Sequence, residues 1–89
     1  MKIKLELFGA SREFSQKDYL ELEVQNKASP DDLRNEIIKY LDKNFKGNEN
    51  FIKIVKSSAF SSEDNQIISD NYKITKDQKI AIIPPIGGG

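Results

Sequence analysis

The sequence contains no cysteine and no histidine. Without cysteine there is no disulfide and no thiol nucleophile. Without histidine the commonest general base and the commonest metal ligand are both missing. The familiar nucleophile–base pairs of covalent catalysis therefore cannot be built. An excess of charge is missing too: fourteen Lys+Arg balance fourteen Asp+Glu. A dedicated nucleic-acid binder normally carries a basic excess, so no nucleic-acid partner is expected. No apolar run approaches the ~20 residues of a membrane span, so no membrane partner is expected either. The N-terminus, Met1-Lys2-Ile3-Lys4, is strand-like and has no signal-peptide core. The expected location is cytoplasmic.

What is present is enough for one small domain. The chain has 89 residues, of which 37% are apolar, too many for a disordered chain and too few residues for two domains. Residues 2–8 and 19–24 alternate apolar and polar side chains, the mark of strands with one buried face. Gly9 and Ala10 end the first, and 11–18 read as a polar loop. Ser29-Pro30-Asp31-Asp32 combines an N-cap, a first-turn proline and first-turn acids, predicting a helix over about 30–44. Leu33, Ile37 and Leu41 give it one apolar stripe, and Gly47 is the expected C-terminal cap. Residues 51–61 lean towards β, 62–65 form a turn, and Ile67-Ile68 fit a short strand. Ile80-Ala81-Ile82-Ile83 is apolar without alternation and reads as a central strand buried on both faces. Its natural neighbour is the first strand, in parallel, with the helix crossing one face. The expected fold is α+β, a β-grasp (ubiquitin-like) mixed sheet on one main helix, spanning 1–83, with a tail over 84–89. Its expected core is Ile3, Leu5, Leu7, Leu20, Leu22, Leu33, Ile37, Leu41, Ile80 and Ile82.

Candidate chemistry inside the domain is sparse. Asp31 and Asp32 are accounted for by the helix start. Glu63 and Asp64 read as solvated turn residues. No metal site is expected, since a Mg²⁺ or Ca²⁺ site would need more oxygen ligands at ordered spacing. The tail is different. Pro84-Pro85 stops strand pairing, and Ile86-Gly87-Gly88-Gly89 follows. One reading is a frayed end. The other makes the terminal carboxylate the working group. Glycine has no Cβ and passes through narrow channels, the prolines fix the exit direction, and four extended residues reach about 13–14 Å. A carboxylate is a poor electrophile, so it needs activation such as adenylation by ATP. Nothing in the chain looks able to bind ATP, so a partner enzyme must supply that step.

The strand 2–8 followed by Gly-Ala-Ser-Arg-Glu (9–13), the helix start Ser29-Pro30-Asp31-Asp32-Leu33-Arg34, and the ending Ile83-Pro84-Pro85-Ile86-Gly87-Gly88-Gly89 resemble the small subunits of molybdopterin synthase along the whole chain. The resemblance implies a sulfur carrier in molybdenum cofactor biosynthesis. Gly89 would be adenylated by a ubiquitin-activating-type enzyme and converted to a thiocarboxylate. The tail, Pro84, Pro85, Ile86, Gly87 and Gly88, would thread into the synthase large subunit, and Gly89 would deliver sulfur to cyclic pyranopterin monophosphate. This chain would bind no cofactor itself; ATP would be used by the activating partner. The resemblance also implies an apolar docking surface on the sheet away from the helix, for which Phe8, Ile67 and Ile83 are the candidates. Ubiquitin-like protein modifiers and the sulfur carrier of the thiamin pathway share the fold and the Gly-Gly end, and remain alternatives.

Overall fold

The computed structural model describes residues 1–85. Alternation in the first segment produces β1 (Lys2–Leu7), with Ile3, Leu5 and Leu7 buried and Lys2 and Lys4 exposed. β1 pairs antiparallel with β2 (Tyr19–Glu23), Leu5 opposite Leu20 and Ile3 opposite Leu22. Beyond the strand ends, the Met1 ammonium donates to the Val24 carbonyl (2.6 Å) and Val24 N–H donates back to Met1 (2.9 Å). On its other side β1 pairs in parallel with β4 (Gln78–Ile83), Leu5 beside Ile80 and Leu7 beside Ile82. β3 (Ala59–Ser61) adds antiparallel to β4, giving the order β2-β1-β4-β3.

Helix α1 (Pro30–Phe45) starts where the sequence predicts. Ser29 Oγ accepts from Asp32 N–H (3.2 Å), and the Asp32 carboxylate accepts from Ser29 N–H (2.9 Å). This reciprocal pair satisfies two donors at the helix start. Leu33, Ile37 and Leu41 are buried in one cluster with the inward residues of β1, β2 and β4. At the far end the left-handed turn begins one residue before the expected glycine: Lys46 takes φ 55° and Gly47 φ 70°.

Four expectations need correction. Residues 51–57 are not β-leaning but belong to α2 (Glu49–Ser57). Asn48 Oδ1 accepts from the N–H groups of Asn50 (3.0 Å) and Phe51 (3.2 Å), starting the helix. Val55 is buried, and Phe51 and Ile54 are partly buried against the core, at helical spacing. Tertiary burial thus overrides the β preference of Ile52, Ile54 and Val55. Second, the loop after β1 contains a 3-10 helix (Gly9–Phe14), opened by Ser11 Oγ, which donates to Phe8 C=O (2.7 Å) and accepts from Phe8 N–H (3.0 Å). It carries Phe14 into full burial against Phe51, with ring centroids 5.1 Å apart. Tyr40 Oη donates to Phe14 C=O (2.8 Å), and burial raises the Tyr40 pKa above its ordinary 10.0. Third, Ile80–Ile83 is not buried on both faces. Both helices cover one face of the sheet; Ile80 and Ile82 point into the core while Ile83 lies exposed on the other. Leu22, expected in the core, is only partly buried because β2 is an edge strand.

Ile37 is 0% exposed at the centre of the helix–sheet contact. Ile37→Ala removes buried methylene and methyl groups and leaves a cavity, which costs about 2–5 kcal/mol. Urea denaturation of the variant is expected to show that loss. A change within error would mean that Ile37 does not carry the helix–sheet contact.

Candidate functional site

The site is built around the C-terminal end of β4. Because β4 runs parallel to β1, both strands finish at the same end of the sheet. Ile83 is the last residue of β4 to pair, opposite Ala59 of β3. Pro84 has no N–H to continue the ladder; it is buried, and Pro85 is exposed. At this end β1 turns into the 3-10 helix through Gly9, whose φ of +56° disfavours any L side chain. A Cβ on Gly9 would lie 3.9 Å from Pro84 Cγ and Cδ, so the turn and the first proline are in contact range. The four predicted tail residues Ile86, Gly87, Gly88 and Gly89 lie outside the described residues, and with them the predicted reactive carboxyl.

Phe8, Ile67 and Ile83 are the large apolar side chains exposed among the described residues, at 48%, 66% and 38%. The topology explains why they share a face. Phe8 and Ile83 each follow the last core pair, Leu7 and Ile82, by one position, and side chains alternate along a strand. Ile67 faces Ser61 through an isolated bridge, and Ser61 faces Ala81, which shares its side of β4 with Ile83. Phe8 and Ile83 border a depression of about 340 Å³ whose other walls include Glu6, Ser61, Glu63, Lys79 and Ala81. A larger hollow of about 630 Å³ lies at the opposite end of the sheet, bordered by Lys2, Lys4, Glu21, Glu23 and Asp77, away from where β4 ends.

One residue at this surface departs from its sequence reading. Glu63 is not simply solvated: its Oε1 accepts from Lys79 N–H (2.8 Å). β3 ends at Ser61, opposite Ala81, so Lys79 N–H would otherwise lack a ladder partner; the carboxylate replaces the missing strand. Only the pairing register reveals this, and no local sequence pattern encodes it. On the same face the Lys79 ammonium lies 3.9 Å from Glu6. Asp31, a helix-start residue as expected, pairs with Arg34 at 2.9 Å. The Arg34 guanidinium also donates to Ser58 C=O (2.8 Å) and lies 4.9 Å from the Phe60 ring centroid, tying α1 to the start of β3. Arg12 and Glu13 are exposed in the 3-10 helix. Among the described residues no group of three or more Asp or Glu side chains is placed to hold a metal ion, and no helix is long and apolar enough to cross a membrane. Replacing Glu63 with Ala removes the acceptor at Lys79. Faster hydrogen exchange at that amide is expected, with exchange at Ile80 and Ile82 unchanged; unaltered exchange at Lys79 would refute the role given to Glu63.

No protein-family model matches the sequence, and no curated protein matches it significantly. Solved structures do. One is described as "Putative molybdopterin converting factor, subunit 1" from Pyrococcus furiosus, with a TM-score of 0.68 and 22% identity, over 96% of this chain and 98% of that one. Another is SAMP1 from Haloferax volcanii, with a TM-score of 0.66 and 14% identity over 100% of both chains. The order β2-β1-β4-β3, the parallel central pair and these full-length superpositions together establish the β-grasp fold for this chain.

Proposed function

We propose that this protein is a sulfur carrier of molybdenum cofactor biosynthesis, working through the carboxyl group of Gly89. The observation that carries the reading is the ending Pro84-Pro85-Ile86-Gly87-Gly88-Gly89, set directly on the central strand of a β-grasp sheet. The neighbour from Pyrococcus furiosus, whose printed name is that of a molybdopterin converting factor subunit, supports it.

The chemistry follows from the carboxylate. At neutral pH it is ionised and unreactive towards nucleophiles. A ubiquitin-activating-type partner lets it attack the α-phosphorus of ATP, expelling pyrophosphate and leaving an acyl-adenylate. A hydrosulfide-equivalent nucleophile displaces AMP, and the chain then ends in a thiocarboxylate. In the large subunit of molybdopterin synthase that sulfur attacks a side-chain carbon of cyclic pyranopterin monophosphate, forming a carbon–sulfur bond as that carbon's bond to an oxygen leaving group breaks. Hydrolysis of the resulting thioester leaves sulfur on the pterin and regenerates the Gly89 carboxylate. The domain itself contributes position: Pro84 fixes the exit, and Phe8, Ile67 and Ile83 give the large subunit an apolar surface beside it. A channel that closes on backbone alone admits Gly87 and Gly88 and rejects larger residues.

Two experiments test this reading. In a reconstituted complex, Gly88→Val is expected to block sulfur transfer to the pterin precursor with no change in the thermal midpoint. Deleting Gly89 is expected to leave a folded, partner-binding protein whose transfer falls sharply, because the chain ends about 3.5 Å short. Wild-type turnover by the shortened chain would overturn the proposal. Separately, Phe8→Asp is expected to weaken association with the large subunit while leaving the urea midpoint close to wild type. Equal loss of folding and binding would assign Phe8 to the core instead.

A further inference from the structure

The second edge of the sheet offers a different surface. In an antiparallel pair, residues alternate between exchanging hydrogen bonds with the neighbour and directing them away from it. Met1 and Val24 exchange both bonds, and Leu7 N–H donates to Asp18 C=O at 2.9 Å. The alternation therefore directs the N–H and C=O groups of Leu20 and Leu22 towards β1 and those of Tyr19, Glu21 and Glu23 to the open edge. No strand covers that edge among the described residues, since β2 is the last in the order.

Beside it, between β2, the segment 13–17 and the end of α1, runs a groove of about 680 Å³ bordered by Phe14, Leu20, Tyr40 and Phe45. Tyr40 and Phe45 are partly exposed, as is Leu22 further along the strand. On the opposite side of the edge stand the exposed carboxylates of Glu21 and Glu23. A strand added here would lay one set of side chains against Leu20, Leu22 and the aromatic wall, and the alternate set beside the two glutamates. A second copy of this chain is a poor occupant. Antiparallel β2–β2 pairing centred on Glu21 sets that carboxylate against its own copy, and like charges directly opposite each other destabilise a sheet.

We infer that the β2 edge is a docking site for an extended segment of a partner protein that alternates apolar and basic side chains, bound by strand addition. This surface lies two strands from β4, so docking there leaves the Phe8, Ile67 and Ile83 surface and the end of β4 open. The inference does not rest on the sulfur-carrier reading.

The test is an NMR titration of the full chain with a short peptide alternating valine and lysine. Shifts and exchange protection are expected at the Tyr19, Glu21 and Glu23 amides. The same peptide N-methylated at alternate positions, which removes its edge-facing donors, is expected not to bind. The wild-type chain is expected to prefer the valine–lysine peptide over a valine–glutamate one, and Glu21→Gln, which avoids setting a lysine opposite Lys4 of β1, is expected to narrow that preference with an unchanged thermal midpoint. The inference is overturned by absence of binding, by shifts centred on Phe8, Ile67 and Ile83, or by equal affinity of the wild-type chain for both peptides. Protection of the same amides in the free chain that grows with protein concentration would identify a second copy as the occupant and would also overturn it.

Discussion

The parallel pairing of β1 with β4 is the constraint on which the rest of the molecule depends. Antiparallel neighbours can be joined by a short turn, but parallel neighbours need a crossover. Nearly everything between residues 8 and 77 makes that crossover, carrying α1 and α2 over one face of the sheet. The pairing also brings two chain ends together. The end of β1 delivers Phe8 and Gly9, and the end of β4 delivers Ile83 and Pro84, within one corner of the domain. Burial of Leu5, Leu7, Ile80 and Ile82 at 0–1% exposure holds this pair in register. The departure point of the tail is thus fixed by the most deeply buried part of the sheet.

Much of this was legible because period and capping spoke plainly. The alternation in 2–8 and 19–24 identified β1, β2 and their inward faces, and Ser29-Pro30-Asp31-Asp32 identified the start of α1. What failed depended on long-range partners. Helix α2 was hidden because Ile52, Ile54 and Val55 favour strands locally, and only packing against Phe14 and Phe45 selects the helix. Phe14 itself stands alone in a polar stretch, so nothing nearby announced its burial. The all-apolar run Ile80–Ile83 signalled two apolar faces, and the chain does have them. Helices cover only the face that carries Ile80 and Ile82; the other, with Ala81 and Ile83, remains partly or fully exposed. The same signal that overstated burial of the strand therefore marked the surface beside the tail. As for the candidate site, Phe8 and Ile83 border one depression and Ile67 is bridged to Ser61 in its wall, whereas Glu63 acquired its role from a register no local pattern encodes.

Several charged residues help to hold the domain together. Asp32 closes the start of α1, Glu63 completes the β4 ladder, Asp77 accepts from Lys2 N–H (2.8 Å), and Arg34 bridges α1 to Ser58 and Phe60. Each of these groups ties one part of the domain to another. In the proposed sulfur-carrier role, what this framework presents is the glycine ending that follows its central strand.

In the proposed sulfur-carrier role the carboxyl group of Gly89 carries the chemistry. The most direct test is the intact mass of the protein isolated from its own cells under conditions that preserve thioacids, with fragmentation to locate any change. A population in which one oxygen of the C-terminal carboxylate is replaced by sulfur is expected. A terminal carboxylate alone, with the chain recovered instead in isopeptide linkage to other proteins, would contradict it.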